Sequence, residues 1–112
     1  IRKIAGKGAE VKMLAGKNPS KISSTDSRAF KVIEKTCKSM DPKAIVAPYL
    51  VMGGTDSRQY EDVCDNIYRY SPFLMDVGLL FTTHGTNERI PVSSLEDGVV
   101  FFKRYIRLLT KD

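Results

Sequence analysis

Residues 44–54, AIVAPYLVMGG, decide the fold class that the sequence predicts. Residues 44–52 are apolar almost throughout, which is typical of a strand that is buried on both faces of a sheet. Pro48 cannot donate a ladder hydrogen bond, so it indicates a bulge or an edge position within this strand. The pair Gly53-Gly54 follows at once and begins a polar loop. Loops at this position carry the ligand sites of α/β proteins.

An amphipathic helix is predicted before this strand. Thr25 or Asp26 is its expected N-cap, and Asp41-Pro42 is expected to end it. Its apolar residues recur at spacings of three, four and three, namely Phe30, Ile33, Cys37 and Met40.

The carboxy-terminal helix is the clearest predicted element. Ser93 and Glu96 have the spacing of a capping box, which predicts that the helix begins there. One apolar stripe has spacings of four, three, four and three: Leu95, Val99, Phe102, Ile106 and Leu109. A second apolar face contains Phe101, Tyr105 and Leu108. The helix is therefore expected to pack on more than one side.

The remaining segments complete an α/β pattern. Residues 1–5 indicate the tail of a helix that Gly6 ends. Residues 9–15 and 78–83 have the composition of short strands, and turn formers in residues 16–20 indicate a domain junction. These elements form part of an α/β layer but are too few for a complete sheet with both faces covered.

Composition and charge argue against several classes of protein. No run approaches the roughly 18 to 20 apolar residues that span a bilayer, so no membrane partner is expected. The net charge of +5 arises from residues 1–43, which carry 11 Lys or Arg against 4 Asp or Glu. These basic residues are scattered and have only Phe30 as an aromatic neighbour, so nucleic-acid binding is not expected. Cys37 and Cys64 lack metal or redox spacing and favour reduced, buried thiols in a cytoplasmic protein.

The first polar loop, MGGTDSRQY, has two interpretations. In the functional one, Gly53 and Gly54 adopt positive φ and let a ligand come close to the backbone. Thr55 then offers a hydroxyl, and the guanidinium of Arg58 holds a carboxylate through two hydrogen bonds. In the structural one, the glycines form a turn, Asp56 caps the helix that follows and Arg58 is solvated.

The second polar loop, residues 81–91 with the sequence FTTHGTNERIP, contains the only histidine of the chain, His84. Imidazole is a good zinc ligand, and Gly85 permits a sharp exit that leaves Asn87 facing the same space. A catalytic zinc needs about three protein ligands and a water, and no spacing recommends an Asp or Glu as the second ligand. The alternative is a histidine that hydrogen-bonds its own loop. The residues therefore predict a ligand-binding face without a complete catalytic site.

Two strings, PYLVMGGTDSRQY (48–60) and HGTNERIPVSSLEDGVVFFKRYIRLL (84–109), resemble the carboxy-terminal portion of the di-zinc aminoacylase and carboxypeptidase family. The likeness is greatest to its carboxypeptidase S-like branch. NPSKISSTDSRAF (18–30) is similar to the crossing from the small lid domain of that family to its catalytic domain. The resemblance covers nearly all of residues 9–110.

This resemblance implies an α/β zinc exopeptidase-like fold in two parts. Residues 1–18 would be the end of the lid (dimerisation) domain with its last strand, and residues 19–112 would be the carboxy-terminal part of the catalytic domain. The family places its other zinc ligands, a Glu-Glu pair with the general base and most of the lid further upstream. These 112 residues lack them.

The resemblance also implies roles for single residues. His84 would be a terminal ligand to one of two zinc ions that a carboxylate and a water bridge. Gly54, Thr55 and Arg58 would line the substrate pocket, where the arginine meets a free carboxylate, and Asn87 would lie beside the metal. No catalytic residue is expected in this segment.

The resemblance bears differently on two neighbours of these residues, Glu88 and Gln59. Glu88 receives a structural role, because the general base of the family is a different glutamate. Gln59 stands where relatives often have histidine, a departure that affects substrate contacts but not the metal ligand.

The sequence thus predicts the carboxy-terminal fragment of a zinc-dependent metallopeptidase or amidohydrolase. Its substrate would be a peptide or an N-acyl amino acid, cleaved at the amide bond next to a free carboxylate. The full-length enzyme would bind two zinc ions, whereas the fragment would be inactive and would not hold zinc stably. Its expected partners are the missing amino-terminal polypeptide and a second copy in a homodimer. The alternatives are a non-catalytic binding or assembly module and, more weakly, a basic nucleic-acid binder.

Overall fold

Two long helices that pack against each other form the centre of the molecule. The computed structural model describes residues 1–16 and 18–111, so Lys17 in the predicted junction and Asp112 lie outside the described residues. A 3-10 helix spans Asp56–Tyr60. The α-helices are α1 (Arg2–Ala5), α2 (Arg28–Met40), α3 (Val77–Leu80) and α4 (Val92–Leu109). Helix α1 ends as predicted at Gly6, which has a φ of 72°.

Helix α2 confirms the predicted amphipathic helix and its end. Its N-cap is Ser27, whose hydroxyl accepts a hydrogen bond from the backbone N–H of Phe30 at 3.1 Å. The predicted caps Thr25 and Asp26 are wrong by one or two residues. Ser27 prevails because its hydroxyl also bonds the Tyr68 hydroxyl, which fixes the start of the helix from outside. At the other end, the Asp41 N–H donates to the Cys37 carbonyl at 2.9 Å.

Helix α4 begins one residue before the predicted capping box. Pro91 is the N-cap, with a φ of −61°, and its carbonyl accepts from the Leu95 N–H at 3.3 Å. Ser93 therefore lies inside the helix and caps nothing. Ser94 is buried, and its hydroxyl donates to the carbonyl of Leu74. Pro91 is extended, with a ψ of 139°, and the first turn receives no side-chain cap, so the helix begins without the predicted capping box.

The core lies between α2 and α4 and is small. Its buried members are Ile33, Cys37 and Phe101, and Phe101 is only 3% exposed. The ring of Phe101 stacks on that of Tyr70, with 4.9 Å between centroids. Partial burial and the Cys37 thiol, whose sulfur lies 3.2 Å from the Tyr70 hydroxyl, raise the pKa of Tyr70. Met40, Val46, Tyr68 and Tyr105 pack around this cluster.

The two apolar faces of α4 have different surroundings. The face with Phe101 and Tyr105 contacts the core, so packing on this side is confirmed. The first stripe is exposed over most of its length, and its members Leu95, Val99 and Ile106 are each more than half exposed. The spacing identifies the stripe, but it cannot tell which face meets α2.

Two arginines join both ends of α2 to the carboxy-terminal part of α4. Arg28, in the first turn of α2, donates to the carbonyls of Leu109 and Lys111 at 3.1 and 2.6 Å. Arg104 of α4 donates to the Ser39 carbonyl at 2.7 Å, in the last turn of α2. The last carbonyls of a helix have no partner within that helix, so each helix satisfies carbonyls of the other. This pattern favours one relative orientation of the pair.

The three predicted strands are wrong for the described part of the chain, where the regular elements are all helical. Residues 9–15 and 44–52 have no regular structure, and most of their apolar side chains are exposed. A strand is held by hydrogen bonds to a neighbouring strand, and residues 1–16 and 18–111 contain no such neighbour. Residues 78–83 begin inside α3, since the Asp76 carboxylate accepts from the Leu79 N–H at 2.8 Å and caps a helical turn. The predicted α/β architecture is thus confirmed only in its helices.

The segment NIYRYSPF (66–73) is irregular and is hydrogen-bonded to the residues that precede α2. The Ser23 hydroxyl donates to the Ile67 carbonyl at 2.9 Å and accepts from the Ile67 N–H at 2.8 Å. The Tyr68 hydroxyl donates to the Ser24 carbonyl. Both cysteines are free, and Cys37 is buried as expected, whereas Cys64 is exposed. Within the described residues no helix has the length and apolar character that crossing a membrane requires.

Gly98 allows the ring of Phe73 to lie against α4. A Cβ atom at position 98 would come within 2.4 Å of Phe73 Cε1. Gly98→Ala is therefore expected to lower the free energy of unfolding by about 1 to 3 kcal/mol, because the ring must move, although alanine is the better helix former. In a Phe73→Ala background the same change is expected to stabilise by up to about 1 kcal/mol. Urea denaturation of the four proteins measures both changes, and equal signs would contradict this account.

Candidate functional site

The loop after residue 52 is held by an arginine that is distant in sequence. Arg69 donates from Nε to the Ser57 hydroxyl at 2.8 Å and from Nη1 to the Gly53 carbonyl at 2.9 Å. The Thr55 hydroxyl lies 2.6 Å from that of Ser57 and accepts from its N–H at 3.3 Å. Thr55, rather than the predicted Asp56, thus caps the 3-10 helix. One guanidinium fixes both ends of this turn.

The predicted positive φ at Gly53 and Gly54 is wrong, because Gly6 is the only glycine with positive φ in the described chain. A Cβ atom at either position would meet nothing within 4 Å. The Arg69 contact explains the difference, since it holds the loop without a left-handed residue. Neither glycine is therefore required here by conformation or by a contact.

Arg58 lines an open cleft of about 990 Å³ together with Gly53, Gly54 and Ser57. Its side chain is half-buried and makes no hydrogen bond or ion pair with residues 1–16 or 18–111. The same cleft has a long apolar wall, formed by residues 44–52 and by Phe30 and Ile33. Lys21, Glu61, Asp65 and Arg69 also line the cleft. An apolar wall beside the Arg58 guanidinium, which forms no ion pair with the described residues, suits a ligand with an apolar part and an anionic group.

His84 lies in an exposed turn that follows α3. It has a φ of 65°, in the left-handed region that few residues other than glycine adopt. Its backbone N–H donates to Glu88 Oε2 at 3.1 Å. Gly85 follows without positive φ, but a Cβ atom there would lie 3.0 Å from the Thr82 carbonyl oxygen. The sharp exit predicted at Gly85 thus occurs at His84 itself, and Glu88 and Gly85 support it.

Asn87 lies in the same exposed turn. Its backbone carbonyl accepts from Arg89 Nη1 at 3.1 Å, which closes the turn on its carboxyl side. Asn87 and His84 therefore share one loop, as predicted, three positions apart along the chain.

The predicted site residues fall into two separate groups. Gly54 and Arg58 line the cleft, and Thr55 holds the neighbouring turn. His84 and Asn87 do not line that cleft. In the described part of the chain, no group of three or more His, Cys, Asp and Glu side chains could hold a metal ion. The donor set offers His84 as one ligand and does not fit a complete zinc site, which needs about four ligands.

Arg69 holds the first loop without having been predicted to, whereas Glu88, for which a structural role was predicted, contacts the backbone of the second. Arg69 lies in an irregular segment, and no periodicity or motif links it to Gly53 and Ser57. The His84 backbone N–H donates to the Glu88 carboxylate four positions further along the chain. This short spacing is the sequence signal for the contact.

The profile of peptidase family M20/M25/M40 matches residues 5–108. Probable carboxypeptidase S-like 2 of Dictyostelium discoideum is 30% identical over 89 residues, which cover 80% of this chain and 17% of that protein. The N-fatty-acyl-amino acid synthase/hydrolase PM20D1 of Bos taurus is 34% identical over 93 residues, covering 80% of this chain and 18% of that protein. Carboxypeptidase S of Saccharomyces cerevisiae is 35% identical over 57 residues, covering 51% and 10%.

The chain spans about a fifth or less of the length of the curated relatives that it matches. No solved structure matches it. The profile match extends over nearly the whole chain, and relatives named as carboxypeptidase S or carboxypeptidase S-like come from two organisms. The chain belongs to peptidase family M20/M25/M40, in its carboxypeptidase S-like branch, and matches a carboxy-terminal segment of that family.

Proposed function

We propose that residues 1–112 act as the carboxy-terminal part of a longer metal-dependent hydrolase that cleaves an amide or peptide bond next to a free carboxylate. Family membership supports a peptidase or amidohydrolase, and the names of the relatives include a carboxypeptidase and an acyl-amino acid hydrolase. The observation that carries the proposal is the guanidinium of Arg58, half-buried in a cleft with an apolar wall. It makes no ion pair with the described residues, although Glu61 and Asp65 line the same cleft.

In this proposal the cleft binds the carboxylate end of the substrate. Arg58 holds the free carboxylate through two hydrogen bonds, and the Arg69 clamp keeps the loop from Gly53 to Ser57 in place. The apolar wall accepts the side chain or the acyl chain of a peptide or an N-acyl amino acid. Binding of a fixed carboxylate orients the scissile bond, which is a large part of what a hydrolase supplies.

His84 serves in this proposal as one ligand to zinc. Zinc, when bound, lowers the pKa of a bound water and polarises the scissile carbonyl. The remaining ligands and the general base then come from other parts of the longer protein, so residues 1–112 alone are inactive. Glu88 positions His84 through its backbone, and Asn87 shapes the same turn.

The organisation of the longer protein is also a proposal. Residues 1–18 would end a lid domain, and residues 19–112 would belong to the catalytic domain. Residues 44–52 would become a strand once a neighbouring strand is present, because they are apolar and have no ladder partner here. Cytoplasmic location and a lid-mediated homodimer stay predictions.

Arg58→Ala in the longer protein is expected to raise the KM for an N-acyl amino acid roughly 10- to 100-fold, because a charge-assisted hydrogen-bond pair is lost. The kcat is expected to change much less. Steady-state hydrolysis of the acyl amino acid and of its carboxamide measures the effect. The carboxamide lacks the charge, so its hydrolysis should be nearly insensitive to the substitution.

Arg58→Lys is the matched control, since it keeps the charge but loses the planar fork. We expect it to lie between the wild type and Arg58→Ala. Equal sensitivity of the acid and the amide to Arg58→Ala would exclude carboxylate recognition by this residue. Absence of any hydrolysis of peptides and N-acyl amino acids by the longer protein would overturn the proposed function itself.

A further inference from the structure

Arg69 lies between two tyrosines that pack against the long helices. The ring of Tyr68 lies beside that of Phe30 in α2, with 5.7 Å between centroids. The ring of Tyr70 stacks on that of Phe101 in α4. Aromatic rings bury a large area with few rotatable bonds, so these two contacts hold the intervening backbone against the helix pair. Arg69 therefore extends from a fixed position.

The loop that contains Arg58 depends on Arg69 for its distant contacts. Among the hydrogen bonds that residues 44–60 make with residues 1–16 and 18–111, only the two from Arg69 reach further than four positions along the chain. Packing adds little, because a Cβ atom at Gly53 or Gly54 would meet nothing within 4 Å. The two hydrogen bonds of Arg69 thus set where this loop lies relative to the helices.

One of these contacts lies directly beside Arg58. Ser57, whose hydroxyl accepts from Arg69 Nε at 2.8 Å, precedes Arg58 in the same 3-10 helix. A shift of Ser57 therefore moves Arg58 with it. If residues 44–52 pair as a strand in the longer protein, that strand ends before Gly53, so both contacts of Arg69 lie beyond it.

We propose that Arg69 is a positioning residue that determines how strongly the cleft prefers a carboxylate to a neutral carboxamide. It acts through Ser57 and Gly53 on Arg58, which binds the carboxylate in the proposed function on which this inference rests. Two parallel hydrogen bonds require the guanidinium and the carboxylate to lie in one plane. A displaced Arg58 loses that geometry, and the penalty falls on the charged substrate.

Arg69→Ala in the longer protein is expected to raise the KM for an N-acyl amino acid about tenfold, because the carboxylate-binding arginine is no longer held in place. The kcat and the KM for the corresponding carboxamide should change little. Arg69→Lys keeps the charge but cannot donate in two directions from one planar group, so its KM should lie between the two. Steady-state hydrolysis of the acid and the amide measures these effects.

Arg104→Ala is the matched control. Arg104 also donates two hydrogen bonds, to the carbonyl and the hydroxyl of Ser39, and it does not line the cleft. Its removal weakens the contact between the helices but should leave the ratio of the two KM values unchanged. A general loss of stability would affect both variants, whereas a positioning role affects only Arg69→Ala.

A double variant tests whether Arg69 acts through Arg58. In an Arg58→Ala background, Arg69→Ala should have no further effect on the ratio of the KM values for acid and amide. Effects that multiply would mean that each arginine contributes on its own, and the positioning role would then be wrong.

Hydrogen exchange tests the contact without substrate. In the 112-residue chain, Arg69→Ala should make the Arg58 amide exchange several-fold faster and leave the amides of α2 unchanged. Ser57→Ala removes one acceptor and leaves Arg69 in place, so it should act in the same direction and more weakly. Exchange at Arg58 that is indifferent to both changes would overturn the proposal.

The two proposals fail in different ways. A longer protein that hydrolyses neither the acid nor the amide refutes the proposed function and the role of Arg69 with it. An active longer protein whose preference for the acid survives Arg69→Ala refutes only the role of Arg69.

Discussion

Phe101→Ala is expected to lower the free energy of unfolding by about 3 to 5 kcal/mol, the usual cost of removing a buried aromatic ring. Phe101 is 3% exposed and its ring contacts those of Tyr70, Phe102 and Tyr105. The core contains few other buried apolar side chains, so little can collapse into the cavity. Because domains are stable by only about 5 to 15 kcal/mol, this single change should leave α2 and α4 largely unfolded. Urea denaturation followed by circular dichroism measures the loss.

Phe102→Ala is the matched control for this experiment. The same side chain is removed from the neighbouring position, where 42% of it is exposed. Phe102 keeps only an edge-on contact with Phe101, at 5.7 Å between centroids, so we expect a loss of about 1 kcal/mol. Both variants should be measured at a concentration at which the wild type is monomeric. Equal losses at the two positions would show that the face of α4 with Phe101 is not its buried face.

His84→Ala in the longer protein is expected to lower kcat/KM by more than about a hundredfold and to lower the zinc content. Residues that only support a metal ligand already cost 10- to 100-fold when they are changed, so the ligand itself should cost more. Hydrolysis of an N-acyl amino acid and metal analysis of the same preparation measure both effects. A variant that loses activity but keeps its zinc would remove His84 from the ligand set.

Two control variants separate the imidazole from the backbone that carries it. His84→Asn keeps a residue that tolerates positive φ, so it should preserve the turn but lose the activity. Glu88→Gln keeps an oxygen that can accept the His84 N–H, so it should retain much more activity than either His84 variant. Equal losses in Glu88→Gln and His84→Ala would contradict the structural role of Glu88.

The helices could be predicted from the sequence because their signals are local. The three-and-four spacing of α2 and α4 and the stop at Asp41 depend on residues within one helix. The strands could not be predicted correctly, because a strand forms only with a neighbour, and the spacing of residues 44–52 says nothing about whether one is present. Residues 78–80 are helical because Asp76 caps them, a local signal that their apolar composition obscured.

The candidate site was predicted as two loops, and both loops exist. The sequence could not reveal what holds them, since Arg69 reaches Gly53 across 16 positions without any motif. It also placed the unusual backbone at the glycines, whereas the structure has positive φ at His84. Glycine marks where such a conformation costs least, but a hydrogen bond that a backbone N–H donates to a side chain such as Glu88 can support it elsewhere.

The mutual arginine contacts of α2 and α4 have a consequence for limited digestion. These helices lie on either side of residues 41–91 along the chain, and Arg28 and Arg104 join both ends of α2 to the carboxy-terminal part of α4. A protease that cuts once in the exposed residues 44–54 therefore produces two pieces that remain assembled. The two pieces of such a nicked complex would separate only when a denaturant unfolds the helix pair.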